Sequence, residues 1–227
     1  LMALEPRFMF DGAAVTDAVD ALARPLDVAT PALPVERAPV LEFQLLVPSA
    51  AQLPYTMAQA AERFGGIDAL VNNASAIWLR GTLDTPMKRF DLMSQVNARG
   101  SFLCAQKALP YLLKSPNPHI LTLAPPPSLD PKWWGPHTGY TLAKMGMSLV
   151  TLGLAEEFKG KVAVNALWPR TVIGTDAINM IPGVDPGNCR TPDIVADAAV
   201  RILQQPFAAA TGRFYIDETV LREAGVS

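Results

Sequence analysis

The chain has 227 residues and a formal net charge of −2, with 19 basic and 21 acidic residues. This length suits one α/β domain, and the lack of any run of like charges argues against nucleic acid as a partner. No stretch reaches the roughly 18 uninterrupted apolar residues of a membrane-spanning helix, so no transmembrane segment is predicted.

The first 39 residues have an unusual composition. Five prolines and no lysine occur there, and Gly12 is the one glycine before Gly65. Prolines at this spacing interrupt both helical hydrogen bonding and central strands. We therefore predict an irregular Pro-rich segment over residues 1–39 and a folded domain over residues 40–227.

From Val40 onward, strand-like and helix-like stretches alternate. Strands are predicted at Val40–Val47, Ile67–Val71, Ile120–Leu123, Val162–Leu167 and Arg213–Ile216. Helices are predicted to end at Phe64 before two glycines, to begin near Asn97, to run from about Thr138 to Phe158, and to span Asp193–Leu203. This alternation is typical of an α/β fold with a doubly wound, Rossmann-like parallel sheet. The carboxyl edge of such a sheet is the expected ligand site.

Tyr140 and Lys144 are one helical turn apart, so their side chains share a face of the predicted helix. A nearby ammonium favours the phenolate and lowers the pKa of a tyrosine towards the working pH, as a tyrosine acid/base requires. The alternative is a pair of unrelated side chains on an exposed helix. No metal site is predicted, because the two cysteines and two histidines lack ligand spacing.

Asparagine-containing motifs surround this pair in a fixed order. Asn72-Asn73-Ala74-Ser75 follows a predicted strand, Asn97 opens a predicted helix, and Asn165-Ala166-Leu167-Trp168-Pro169 follows a later strand. Together with Tyr140 and Lys144, these motifs resemble the short-chain dehydrogenase/reductase family. The Lys132-Trp133-Trp134 string and the stretch 155–160 resemble its hydroxysteroid-dehydrogenase-like subgroup. The resemblance covers about residues 57–227.

The resemblance implies an oxidoreductase that uses NAD or NADP, with NADP favoured. Tyr140 would exchange a proton with the substrate, Lys144 would also bind the cofactor ribose, and Asn97 would hold a water. Further cofactor contacts would come from the adenine-side residues Asn72 and Ala74 and the nicotinamide-side residues Pro169, Val172 and Thr175. The substrate would be a hydrophobic alcohol or carbonyl, with Trp133, Trp134 and Met180 near its entrance. The alternative is a structural role, in which the two tryptophans pack against the core.

The expected substrate-polarising serine has no exact counterpart. The family places a serine a fixed short distance before the tyrosine. Counting the same distance back from Tyr140 reaches Pro127, so Ser128 lies one position from the expected serine. Matched from the end of the strand, the position falls on Ala124 or Pro125, whose side chains donate no hydrogen bond. Ser128 is predicted to substitute if the proline-rich loop bends back. Loss of such a donor typically costs about a hundredfold in rate.

The glycine-rich turn that cradles a dinucleotide pyrophosphate is also missing. No glycine occurs between Ala13 and Phe64, and Val40–Val47 occupies the place of the family's third strand. The domain is therefore expected to lack the usual first βαβ unit, leaving an unpaired edge on the strand at 67–71 unless Val40–Val47 pairs beside it. Activity is expected to be impaired. The alternative is an inactive truncated or fused remnant that serves as an interaction module.

Two further expectations concern assembly and location. Apolar stripes on the helices starting near Asn97 and Thr138 predict a homo-oligomer paired across a two-fold axis, unless both stripes face the sheet. The stripes are Phe102, Ala105, Leu109 and Leu112 on the first helix, and Met145, Leu149 and Leu152 on the second. No secretory signal is visible, which predicts a cytoplasmic protein. Residues 1–14, however, resemble the start of large bacterial secreted or surface proteins, which would imply a secreted context.

Overall fold

The sheet of this protein is parallel throughout the residues that the computed structural model describes, which are 53–175, 178 and 184–226. Its strands are Ala69–Asn72 (β1), His119–Leu123 (β2), Ala163–Trp168 (β3) and Phe214–Ile216 (β4). They pair in the order β1-β2-β3-β4, with every neighbouring pair parallel. The predicted α/β fold is confirmed, and the observed strand bounds lie within two residues of the predicted ones.

Helices connect and flank the strands. They are Leu53–Phe64 (α1), Met87–Met93 (α2), Gly100–Leu112 (α3), Pro131–Trp134 (α4), Thr138–Glu157 (α5), Asp193–Leu203 (α6) and Asp217–Glu223 (α7). Short 3-10 turns occur at Thr82–Asp84, Gly135–His137 and Pro186–Asn188. None of the helices in this part of the chain is long and apolar enough to cross a bilayer.

The two faces of the sheet carry separate apolar cores. Leu121 and Leu123 of β2 pack in a cluster with Ile202 of α6 and Leu221 of α7. Ile120, the residue before Leu121, packs in a second cluster that includes Leu109 of α3. Alternate residues of a strand point to opposite faces, so helices cover both sides of the sheet. This arrangement is the doubly wound form that the sequence predicts.

The end of α1 lies where the sequence predicts it, because a glycine follows the helix. Gly65 has a φ of +85°, a conformation that glycine adopts without strain, and its N–H donates to Ala61 O at 2.9 Å. This ends α1 at Phe64, as predicted.

The predictions for residues 1–39, Val40–Val47 and Met180 lie outside the described residues, as does the resemblance of residues 1–14.

The helix predicted to begin near Asn97 begins earlier. Pro86 caps α2, and the chain remains helical from Met87 through a π-helical turn at Ser94–Arg99 and on into α3. The prediction was wrong because a π-helical turn continues the helical backbone while breaking the 3.6-residue period that sequence patterns reveal.

The predicted apolar stripes are only partly buried. Ala105, Leu109 and Leu112 are buried, but Phe102 is 49% exposed. On α5, Met145 is buried, whereas Leu149 and Leu152 are 57% and 40% exposed. The buried face of α5 is formed instead by a neighbouring stripe of Ala143, Lys144, Met147, Ser148, Thr151 and Leu154. The two exposed leucines of α5 therefore do not face the sheet.

A close approach between α5 and the π-helical turn fixes the relative positions of Lys144 and Asn97. A Cβ atom placed on Gly146 would lie 2.6 Å from the Cβ atom of Ala98. Real side chains do not come so close, so glycine is required at this crossing. Gly153, two turns further along α5, has no atom within 4 Å of such a Cβ.

We expect Gly146→Ala to lower the free energy of unfolding by about 1–3 kcal/mol, because the methyl group overpacks the crossing. Gly153→Ala is the matched control. It should be neutral or stabilising by up to about 1 kcal/mol, because alanine favours the helix and meets nothing. Urea unfolding of both variants measures the difference. Equal stabilities would show that α5 and the π-helical turn are not closely packed.

Candidate active site

Tyr140 and Lys144 are both buried at the carboxyl edge of the sheet. Tyr140 is 3% exposed and Lys144 is 1% exposed. The two residues lie in the first two turns of α5, which packs against β2 and β3. Their burial excludes an exposed position on the helix, while the catalytic role of the two side chains stays a prediction.

The Lys144 ammonium is held between the ends of the two central strands. Its Nζ atom donates to Leu123 O, the last carbonyl of β2, at 3.0 Å. The same atom lies 5.6 Å from the ring centre of Trp168, the last residue of β3. Burial lowers the pKa of Lys144 from 10.5 to about 7. Its proton is therefore exchangeable near neutral pH, as acid/base chemistry at that pH requires.

An apolar wall surrounds Tyr140. Its ring packs in a cluster with Leu79, Met93 and Val172. Ile77 and Trp78, from the loop after β1, extend this cluster. The cluster brings Val172, a predicted cofactor residue, into the surroundings of Tyr140. Sequence reasoning missed the loop residues, because an irregular loop carries no periodic signal.

Asn97 fixes the turn that follows β1. It is fully buried in the π-helical turn. Its Oδ1 atom accepts from Ala76 N at 2.7 Å, and its Nδ2 atom donates to Ala76 O at 3.1 Å. Isolated π-helical turns often occur at functional sites. The structure thus shows a turn-holding role for the Asn97 side chain, while the predicted water-binding role stays a prediction.

Asn72 anchors the other end of the same turn. Its Nδ2 atom donates to Ser101 O of α3 at 3.5 Å, and its side chain is largely buried. Ala74, between the two anchors, is partly exposed. Asn72 and Ala74, the predicted adenine-side residues, therefore lie in a turn fixed to one continuous helical segment.

The proline-rich loop after β2 is attached at both ends. Ser148 Oγ of α5 donates to Pro125 O at 2.7 Å. Further along, Trp134 Nε1 donates to Ser128 O at 3.1 Å, and Ser128 Oγ accepts from Asp130 N at 3.3 Å. Ala124 is fully buried and has no hydroxyl. The polarising role of Ser128 stays a prediction.

The two predicted substrate tryptophans lie in α4 and are half-buried. The carbonyl oxygen of Trp133 accepts from Thr141 Oγ1 at 2.9 Å, which ties α4 to the turn of α5 that carries Tyr140. The ring of Trp133 lies 4.9 Å from Lys132 Nζ. Trp134 is packed into the loop by its bond to Ser128. Both the substrate role and the packing role of these rings stay open.

Asp217 holds the loop after β3, where the predicted nicotinamide-side residues lie. This fully buried carboxylate accepts from Arg170 N at 2.9 Å through Oδ1, and from Glu218 N at 2.7 Å. Burial raises the pKa of Asp217, against these two hydrogen bonds, which lower it. Sequence reasoning missed Asp217, although its place directly after the last strand puts it at the carboxyl edge.

A second attachment holds the far end of this loop. Arg190 N donates to Val172 O at 3.1 Å, and Gly174 N donates to Arg190 O at 2.8 Å. The Arg190 guanidinium pairs with Glu218 at 2.9 Å. The loop carrying Pro169, Val172 and Thr175 is thereby attached to α7 through both Asp217 and Glu218.

Two buried hydroxyl groups fit a polar ligand at this edge. Ser75 Oγ, in the turn after β1, and Thr171 Oγ1, in the loop after β3, are buried without a hydrogen-bond partner. Buried polar groups normally have partners. The two hydroxyls lie in the two segments that the sequence assigns to a cofactor. These unpartnered hydroxyls are compatible with the polar groups of the nicotinamide cofactor that the resemblance implies.

Comparison with known sequences agrees with the motifs. The profile of the short chain dehydrogenase family matches residues 4–181. Hydroxysteroid dehydrogenase-like protein 2 of Danio rerio is 54% identical over 176 residues, which cover 77% of this chain and 42% of that protein. The chain thus spans less than half the length of this relative. The predicted family and subgroup are confirmed, although the family profile begins at residue 4 rather than near residue 57.

Solved structures agree with the fold. A protein described as a dehydrogenase, from Xanthomonas campestris, is 69% identical, with a TM-score of 0.77 over 78% of this chain and 66% of that chain. A short chain dehydrogenase from Escherichia coli CFT073, complexed with NADPH, is 19% identical, with a TM-score of 0.69 over 78% of this chain and 73% of that chain. At this identity the likeness is one of fold alone.

The buried lysine should cost stability. Between pH 7 and pH 10.5 the folded state binds fewer protons than the unfolded state, so stability rises with pH across this window. Equivalently, stability is lost as the pH falls from 10.5 towards 7. Lys144→Met removes this dependence, and we expect it to be more stable than the wild type by about 1–4 kcal/mol at pH 7.

Urea unfolding at pH 7 and pH 10 measures this effect, and the advantage of the methionine variant should shrink at the higher pH. An advantage that is absent at pH 7, or that grows with pH, would contradict the buried environment of Lys144.

Proposed function

Because this chain belongs to the short-chain dehydrogenase family, we propose that it is a NAD(P)-dependent oxidoreductase acting on a hydrophobic alcohol or carbonyl. The observation that supports this most strongly is the buried Tyr140 and Lys144 pair at the carboxyl edge of a parallel sheet. A phenol beside a partly protonated ammonium is suited to exchange a proton with a substrate oxygen.

In the proposed reaction, Tyr140 donates a proton to the substrate carbonyl during reduction and accepts one from the hydroxyl during oxidation. Lys144 favours the phenolate through its positive charge. The hydrogen bond to Leu123 O keeps the ammonium in place. The surrounding apolar cluster excludes water, which strengthens this electrostatic interaction.

A nicotinamide cofactor, when bound, would accept or supply the hydride. Lys144 would bind its ribose, Asn72 and Ala74 would contact the adenine side, and Pro169, Val172 and Thr175 would border the nicotinamide. The attachment of both segments to the helices supports these roles. NADP is favoured over NAD by the family resemblance alone.

The substrate side of the proposal relies on apolar residues. Leu79, Met93 and Val172 around Tyr140 form a wall that suits a hydrophobic alcohol or ketone. Trp133 and Trp134 would extend this wall towards the entrance, and Met180 is proposed as a substrate residue from the sequence alone. Ser128 is the candidate hydroxyl for polarising the substrate oxygen.

A second candidate function follows from the missing glycine-rich turn. The sequence has no glycine between Ala13 and Phe64, and β1 forms one edge of the sheet within the described residues. Weak pyrophosphate binding would impair turnover. A chain that binds no cofactor would be an inactive remnant, and the backbone groups of an open strand edge would favour an interaction role.

Tyr140→Phe tests the proposed chemistry. Removing the phenolic hydroxyl should lower turnover of hydrophobic secondary alcohols at least a thousandfold, while the cofactor dissociation constant stays within twofold. Tyr111→Phe is the matched control, because Tyr111 lies on α3 beside Lys114, and it should keep wild-type turnover. Unchanged turnover in Tyr140→Phe would remove Tyr140 from the chemistry.

We also propose a homo-oligomer formed through α3 and α5. The exposed Phe102, Leu149 and Leu152 support it, because large apolar side chains clustered on outer helix faces favour association. Leu149→Lys with Leu152→Lys should convert a dimer or tetramer to monomers in sedimentation at micromolar concentration. Leu83→Lys, at a fully exposed position of a 3-10 turn, should leave assembly intact. A monomeric wild type would refute the proposal.

A further inference from the structure

Trp168 belongs to the motif Asn165–Pro169, but the family resemblance assigns no role to its side chain. It ends β3, is 1% exposed, and has the largest fully buried side chain among the described residues. Its ring packs with Leu123 and Leu167 in the core on one face of the sheet. The same ring lies 5.6 Å from the Nζ atom of Lys144. Trp168 thus contacts both the apolar core and the ammonium of Lys144 at the carboxyl edge of the sheet.

The indole N–H group does not explain why tryptophan stands here. Trp168 Nε1 is buried without a hydrogen-bond partner, and an unmet donor costs free energy. The aromatic face, in contrast, meets a buried ammonium. Attraction between a cation and an aromatic ring is strongest when both are removed from water, and tryptophan provides the strongest face.

Among the described residues, no ion pair of Lys144 with an acidic group occurs. Burial is the cause of the lowered pKa of Lys144. The titratable and charged groups on the helical elements packed against α5 are Lys88, Arg89 and Asp91 of α2, Arg99 of the π-helical turn, Cys104, Lys107 and Tyr111 of α3, Lys132 of α4 and His137 of the 3-10 turn before α5. On the strands, the nearest titratable group of β2 is His119 at its opposite end, and β3 has none. Tyr140, one turn earlier on α5, is the other titratable group of the reacting pair.

We propose that Trp168 is a positioning residue for Lys144, whose ring keeps the ammonium charged and directed along Leu123 O towards the Tyr140 side of the site. This inference rests on the proposed function for its catalytic meaning. The ring opposes the effect of burial, so that enough protonated lysine remains at neutral pH to act on the tyrosine.

Titration of Lys144 in the full chain without cofactor tests the interaction directly. Lysine labelled with ¹³C at Cε reports each ammonium by NMR, and the resonance lost in Lys144→Met identifies Lys144. Trp168→Leu should lower the pKa of Lys144 by about one unit, a tenfold loss of proton affinity. Trp168→Phe, which keeps an aromatic face, should lower it by less. An unchanged or raised pKa in Trp168→Leu would overturn the proposal.

Fluorinated tryptophan provides a test that keeps the shape of the core. Fluorine withdraws electron density from the ring face with little change in volume. Incorporation of tryptophan with one, two or three fluorines should lower the pKa of Lys144 stepwise. A pKa that is independent of fluorination would overturn the proposal even if the leucine variant does not fold.

The pH profile of kcat/KM links the interaction to catalysis. In Trp168→Leu, the limb of the profile that reports loss of the lysine proton should move to lower pH by the same amount. In Trp168→Phe, the limb should return most of the way to its wild-type position.

Ile202→Ala is the control, because Ile202 packs in the same cluster as Trp168. This variant should lower stability without moving the limb. A wild type without turnover would refute the proposed function, whereas the NMR titration would still decide the role of Trp168. An equal shift in Ile202→Ala would overturn the positioning role.

Discussion

The buried ammonium of Lys144 is the constraint on which the rest of the site depends. An ammonium that is 1% exposed has lost most of its hydration, so protein groups have to replace the water. The replacements are the Leu123 carbonyl and the Trp168 ring, which are the ends of β2 and β3. Parallel pairing brings these ends together. The close crossing at Gly146 then sets how near α5 lies to the ends of β2 and β3.

The sequence predicts much of this arrangement because its signals are periodic or chemical. Alternating strand and helix patterns indicate a parallel sheet, and Gly65 marks the end of α1. The one-turn spacing of Tyr140 and Lys144 places the two side chains together. Other contacts carry no such signal. Leu123 contributes a backbone carbonyl, which no side-chain motif reveals, and Trp168 meets Lys144 only because of how β3 lies under α5. The helix start at Met87 was mispredicted because a π-helical turn breaks the expected period.

The site also shows how stability and chemistry oppose each other. A lysine with a pKa of about 7 destabilises the folded chain at neutral pH, yet the same burial makes its proton exchangeable there. Asp217 follows a similar pattern, since it is fully buried in order to hold the loop after β3 by its hydrogen bond to Arg170 N. Such costs are expected where a fold positions reacting groups rather than maximises its own stability.

Direct titration of the purified chain with NADPH and NADH tests the central claim, that this edge of the sheet binds a nicotinamide cofactor beside Lys144. The fluorescence of the four tryptophans is a suitable signal, because one of them, Trp168, lies next to the lysine. The account predicts saturable quenching with a micromolar dissociation constant for at least one of the two cofactors. No response at millimolar concentration of either cofactor would contradict it and would identify the chain as a remnant without turnover.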